Sequence, residues 1–87
     1  MYVIAVYDCN VKRVNKMLKL CRRYLTWIQN SVLEGELTPA QLKEFKIEAA
    51  KIMDKTEDSL ILFTNTNPHW LKKEIMGLEK NSTDNFL

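Results

Sequence analysis

The chain has 87 residues, thirteen Lys and Arg against eleven Asp and Glu, and a net charge of +2, a length that suits one small domain, since domains run about 50 to 250 residues. A composition of 46% hydrophobic and 28% charged residues excludes a disordered chain. So nearly neutral a total also excludes a uniformly basic nucleic-acid binder, and any such role has to rest on where the charges sit.

Met1 to Asp8 is an apolar run that stops at a carboxylate. Tyr2, Val3, Ile4, Val6 and Tyr7 are β-branched or aromatic, and the run is too short for an ordinary helix, which predicts a strand. Side chains alternate along a strand, placing Val3, Ala5 and Tyr7 on one face and Tyr2, Ile4, Val6 and Asp8 on the other. Both faces are apolar, so the strand should be central and covered on both sides. Val11 to about Leu25 follows as a helix, with Val11, Val14, Leu18, Cys21 and Leu25 as the expected buried stripe and Met17 and Tyr24 widening it. Opposite, Lys12, Lys16, Lys19 and Arg23 form a cationic ridge flanked by Arg13 and Arg22, and no acid occurs between Asp8 and Glu34.

Thr26 to Leu37 favours extended structure, with Gln29-Asn30-Ser31 marking either a tight turn between two short strands or a bend in one long strand. Thr38-Pro39-Ala40-Gln41 then opens a second helix: Thr38 as N-cap, Pro39 in the first helical position, and Gln41 completing a capping box. Its buried stripe is Leu42, Phe45, Ala49 and Ile52, and it ends near Lys55. Ser59 to Thr64 is a second strand apolar on both faces. Asn65 to Pro68 breaks the chain, and His69 to Met76 is a short extended segment or one turn of helix. Asn81 to Leu87 is a polar tail with two apolar terminal residues that either docks or frays.

The element order fits an α+β, ferredoxin-like split β-α-β fold spanning residues 1–78, with residues 79–87 as a C-terminal tail. Two helices can cover only one face of such a sheet. The other apolar face calls for a second sheet, and another copy of the chain would supply it, so a homodimer packed sheet to sheet is expected. Cys9 and Cys21 show no CxxC spacing and point to reduced thiols in a cytoplasmic protein. No signal peptide is recognisable, and no apolar stretch approaches the roughly 20 residues of a membrane span, so no membrane partner is expected.

Asp8 is the leading candidate for chemistry because it closes an apolar strand where the chain turns into a helix. Mg²⁺ takes one or two protein carboxylates and several waters, a set that two copies of Asp8 at a dimer axis would meet; the alternative is that Asp8 caps the following helix. His69 is the only histidine and suits surface packing better than a triad. Cys9 beside Asp8 is poorly placed to become a thiolate. The ridge suits phosphate-backbone contact without base readout, or else is an ordinary solvated face.

Tyr2-Val-Ile-Ala-Val-Tyr-Asp8, the basic helix, Trp27-Ile-Gln-Asn-Ser-Val-Leu-Glu-Gly-Glu-Leu37 and Asp58-Ser-Leu-Ile-Leu-Phe63, taken in order, resemble the CRISPR-associated Cas-two family. The resemblance implies a ferredoxin-like homodimer in which Asp8 of both copies shares a divalent metal, Mg²⁺. It implies a metal-dependent endonuclease acting on single-stranded RNA or duplex DNA, and a central subunit that bridges Cas-one integrase dimers during spacer acquisition. By matching position it assigns catalytic roles to Tyr7, Asp8, Arg13 and Ser31, and lets residues 69–77 join the partner's sheet. Lys12, Arg13, Lys16, Lys19 and Arg23 would contact nucleic acid. Trp27 stands where many members carry an arginine near the metal and Leu33 where phenylalanine is common, departures that weaken catalysis more than scaffolding. A ferredoxin-like interaction or regulatory dimer with no nucleic-acid role is the alternative.

Overall fold

A computed structural model describes residues 1–67. The segment 69–77, with His69 and Trp70, and the tail 79–87 lie outside the described residues. The elements are β1 (Tyr2–Asp8), α1 (Val11–Tyr24), β2 (Thr26–Gln29), β3 (Val32–Glu36), α2 (Pro39–Ile52) and β4 (Ser59–Asn65). The sheet runs β2-β3-β1-β4 with every neighbour antiparallel, so among the described residues β1 is internal and β4 lies at an edge. This is the ferredoxin-like α+β arrangement, with two helices on one face.

Residues 26–36 form a hairpin rather than one bent strand. Asn30 takes φ 47°, a left-handed conformation that asparagine tolerates better than most residues. Pairing slips between Trp27 and Gln29, and the Trp27 indole N–H donates to the Asn30 carbonyl at 2.8 Å, closing the turn.

The alternation expected of β1 is present: Val3, Ala5 and Tyr7 are buried beneath the helices, whereas Tyr2, Ile4 and Val6 are only half-buried and Asp8 is exposed. Leu33 of β3 lies opposite Ala5 and is fully buried. From α2 come Leu42, Phe45 and Ala49, held by the Thr38–Gln41 capping box. That helix ends at Ile52, because Met53 is already extended.

In α1 the buried residues are Met17, Leu20 and Cys21. Val11, expected in the core, is 83% exposed. At 3.6 residues per turn Val11 lies about 120° round the helix from Met17, while Leu20 lies about 60° to the other side. The inward sector is therefore turned away from the expected stripe, and it takes in Arg13, about 40° from Met17, as well as Leu20. Among the described residues no helix is long and apolar enough to cross a membrane.

Candidate functional site

The carboxyl end of β1 gathers residues from four parts of the chain. Asp8 lies opposite Ser59, the first residue of β4. On the other side of β1, the Tyr7 amide donates to the Ser31 carbonyl at 3.1 Å. Tyr7, Asp8, Ser31 and Arg13 are thus brought to one end of the sheet, but in different environments. The Tyr7 ring is buried under the helices, which raises its pKa; the neighbouring thiols act in the same direction and a hydrogen bond with Ser31 opposes them. Ser31 is half-buried in the β2–β3 turn. The Asp8 side chain is exposed and makes no hydrogen bond or ion pair among the described residues.

Asp8 does not cap α1. Asn10 does, its side chain accepting from the Lys12 amide at 3.0 Å. The hydrogen-bonding load at this corner falls instead on Asp58, in the α2–β4 turn. Its side chain is fully buried. One oxygen, Oδ1, accepts from the Asn10 amide at 2.8 Å and from Arg13 Nη2 at 3.2 Å. The other, Oδ2, accepts from Arg13 Nε at 2.5 Å and from the Asp54 amide at 2.9 Å. The Arg13 guanidinium, followed by the Asn10 amide, holds the Asp58 carboxyl well below the usual carboxylate range. Arg13 also reaches Glu57, 2.8 Å from Nη2. Its charge is therefore spent on two carboxylates of the same chain, and it stands apart from the ridge on which it was expected to act.

The sequence assigns no role to Asp58 beyond opening the run Asp58 to Phe63. Its partners lie 45 and 48 positions away, and no local pattern announces such a pairing. Cys9 is half-buried, and burial followed by the charge of Asp58 pushes its thiol pKa up. Cys21 is pushed up to about 12 by burial and then by Cys9. Both thiols are free and neither is poised as a nucleophile.

Lys12, Lys16, Lys19 and Arg23 are all exposed and form no ion pair among the described residues. Arg23 lies over the Tyr24 ring, 5.8 Å from its centroid. The ridge points away from the sheet, whereas Asp8 shares the opposite face with Ile4 and Val6. The two candidate features therefore occupy different surfaces. Glu48 and Lys51 on α2, by contrast, pair with each other at 3.0 Å.

No group of three or more His, Cys, Asp or Glu among the described residues is arranged around a metal position. One exposed, unpaired carboxylate per chain fits a hard cation that keeps most of its waters, and fits it better if a second chain brings another. Trp27 packs against the core and spends its N–H on the turn, so it supplies no charge to this end of the sheet.

A four-stranded antiparallel sheet with two helices on one face and a free carboxylate at the end of its central strand defines a ferredoxin-like α+β protein with a strand-end site. Residues 1–73 match the family described as CRISPR associated protein Cas2, and the chain belongs to that family. A protein of Dictyoglomus turgidum named CRISPR-associated endoribonuclease Cas2 is 46% identical over 87 residues, covering 100% of both chains. A solved structure described as a crystal structure of cas2 has a TM-score of 0.81 at 39% identity and covers 100% of this chain and 98% of that one. The Streptococcus pyogenes Cas2 crystal structure has a TM-score of 0.75 at 32% identity, covering 88% of this chain and 100% of that one.

Proposed function

We propose that this chain is a CRISPR-associated endoribonuclease that works as a homodimer, with Asp8 of both copies holding a divalent cation, Mg²⁺, against the scissile phosphate. The observation that carries this reading is the state of Asp8: an exposed carboxylate with no hydrogen-bond or ion-pair partner among the described residues, at the end of an apolar sheet face that a second copy would cover. Mg²⁺ held there would polarise the phosphate and lower the pKa of a bound water. The Tyr7 amide bonded to the Ser31 carbonyl would fix the strand end that carries Asp8. The names of the relatives support an RNA substrate.

Purified protein should cleave single-stranded RNA only with a divalent cation, and Asp8→Ala should reduce cleavage to background while the variant stays folded and dimeric. Cleavage that persists in Asp8→Ala, or in excess chelator, would sink the assignment.

The ridge supports a second role for the same dimer. With four exposed cations that have no acidic partner among the described residues, it is suited to lie along a duplex DNA backbone, as a spacer-acquisition subunit bridging Cas-one integrase dimers would. Neutralising Lys12, Lys16, Lys19 and Arg23 together should flatten the dependence of log K on log salt by about 3 to 4, at roughly 0.9 per phosphate contact. An unchanged slope would remove the ridge from the interface. Because ridge and Asp8 lie on different surfaces, Asp8→Ala should bind DNA and support spacer integration like the wild type.

A further inference from the structure

We infer that Asp58 is a positioning residue for the strand-end site: its buried carboxylate pins the Cys9–Asn10 connection and Arg13, and so sets the direction in which Asp8 leaves β1. The inference rests on the reading of Asp8 as the metal-holding group.

Asp8 has no side-chain partner among the described residues, so its placement has to come from its backbone. On one side that backbone is held by strand pairing, Tyr7 with Leu60 and Asp8 with Ser59. Two residues further on it is held by the Asn10 amide, which donates to Asp58 Oδ1 at 2.8 Å. Asp58 immediately precedes Ser59, so one short segment grips Asp8 from both directions, through β4 pairing and through a buried side chain. The same carboxylate draws Arg13 inward, onto the face of α1 that carries Met17, and its own turn is closed by the Asp58 amide donating to the Asp54 carbonyl at 2.8 Å. Asp58 is the only buried polar or charged residue among those described. An ionised group in that position persists only where its oxygens are fully used, and here three of the four donors come from Asn10, the N-cap of the helix after Asp8, and Arg13, in its first turn. A group that orients a metal-binding carboxylate without touching the metal typically changes affinity or turnover by about 10- to 100-fold when altered.

The test compares full-length wild type, Asp58→Asn and Glu57→Gln. Among the described residues the Glu57 side chain contacts only Arg13, at the Nη2 it shares with Asp58, and does not touch Asn10, so Glu57→Gln controls for that ion pair. Three quantities are read: kcat and KM for RNA, Mn²⁺ affinity by water-proton relaxation with the metal alone, and amide exchange of residues 8–13. Asp58→Asn should lower kcat and Mn²⁺ affinity at least about tenfold with KM within about twofold, and speed exchange at residues 8–13 but not in α2. Glu57→Gln should match the wild type in all three. A folded Asp58→Asn with wild-type kcat, Mn²⁺ affinity and exchange overturns the inference, as does a loss of turnover accompanied by faster exchange throughout the core, which marks a purely structural role. If Asp58→Asn does not fold, Asn10→Pro against Asn10→Ala replaces it. Asn10 has φ −55°, which proline accepts, so the proline variant removes the amide donor that alanine keeps. Equal kcat and equal Mn²⁺ affinity in that pair overturn the inference. If wild type neither cleaves RNA nor binds Mn²⁺, the reading of Asp8 fails, and exchange at residues 8–13 alone then decides whether Asp58 pins the connection.

Discussion

The two faces of β1 are chemically alike and physically opposite. Val3, Ala5 and Tyr7 on one side are sealed by the protein's own helices, while Ile4 and Val6 on the other stand beside Ile61 and Phe63, which are 51% and 55% exposed. The two carboxylates at the end of β1 follow the same division. Asp58 is inside, with both oxygens fully used; Asp8 belongs to the open face and has neither oxygen engaged by any of the described residues. What the described residues complete by themselves is the scaffold, and what they leave incomplete coincides with the proposed chemistry and the proposed dimer surface. That coincidence is the expected mark of a site finished by a second molecule.

The sharpest way to break the comparison is to truncate one phenylalanine on each side. Phe45 is fully buried, with its ring centroid 5.4 Å from that of Tyr24, and Phe45→Ala should destabilise the fold by about 3 to 5 kcal/mol in urea denaturation. Phe63→Ala should change monomer stability by no more than about 0.5 kcal/mol. Its effect should appear in self-association, where losing a side chain that becomes buried weakens dimerisation by about 1.5 to 3 kcal/mol, roughly 10- to 150-fold in sedimentation equilibrium. Equal destabilisation by both substitutions in the monomer would mean that the open face is not open.

A smaller effect tests how tightly the covered face is closed. Gly35 lies opposite Val3, and a Cβ added there would stand 3.2 Å from Leu25 Cδ2 and 3.6 Å from Leu25 Cα. The δ-methyl can turn aside and the backbone cannot, so Gly35→Ala should cost about 1 kcal/mol and Gly35→Val more. An alanine variant as stable as the wild type would show that the C-terminal end of α1 sits more loosely on the sheet than its geometry indicates.

Much of this division was legible in the residues. Strand alternation separates Val3, Ala5 and Tyr7 from Ile4, Val6 and Asp8 without any knowledge of what covers them, and the Thr38–Gln41 capping box is a local device that local sequence reveals. The basic ridge was legible for the same reason, as a helical period read over a single element. The errors have a common physical origin in partners distant along the chain. Val11 was placed in the core and Leu20 left out because the rotation of α1 is set by what it packs against, not by its own hydrophobic period. The pairing of Arg13 with Asp58 and Glu57 is likewise invisible locally, because those carboxylates arrive more than forty positions later. The hairpin of residues 26–36 stayed undecided because it turns on one positive φ at Asn30, a conformation asparagine permits without requiring it.

The smallest signal is a change of slope with pH, and it isolates the inner carboxylate. The folded-state pKa of Asp58 is depressed below its ordinary value of 3.8, so the unfolded chain binds the proton first. Stability from this group is therefore fully present above about pH 4 and is lost as pH falls through the depressed folded value. Asp54 shifts in the same direction through its hydrogen bonds with Thr56 and adds to the trend. Stability measured by urea denaturation between pH 5 and pH 2 should fall with acid in the wild type and fall less steeply in Asp58→Asn, which has no carboxyl to protonate, while Asp54 continues to contribute in both. Parallel slopes would mean that the Arg13 and Asn10 hydrogen bonds do not favour the ionised form of Asp58, and the contrast between the two carboxylates would then be one of exposure alone.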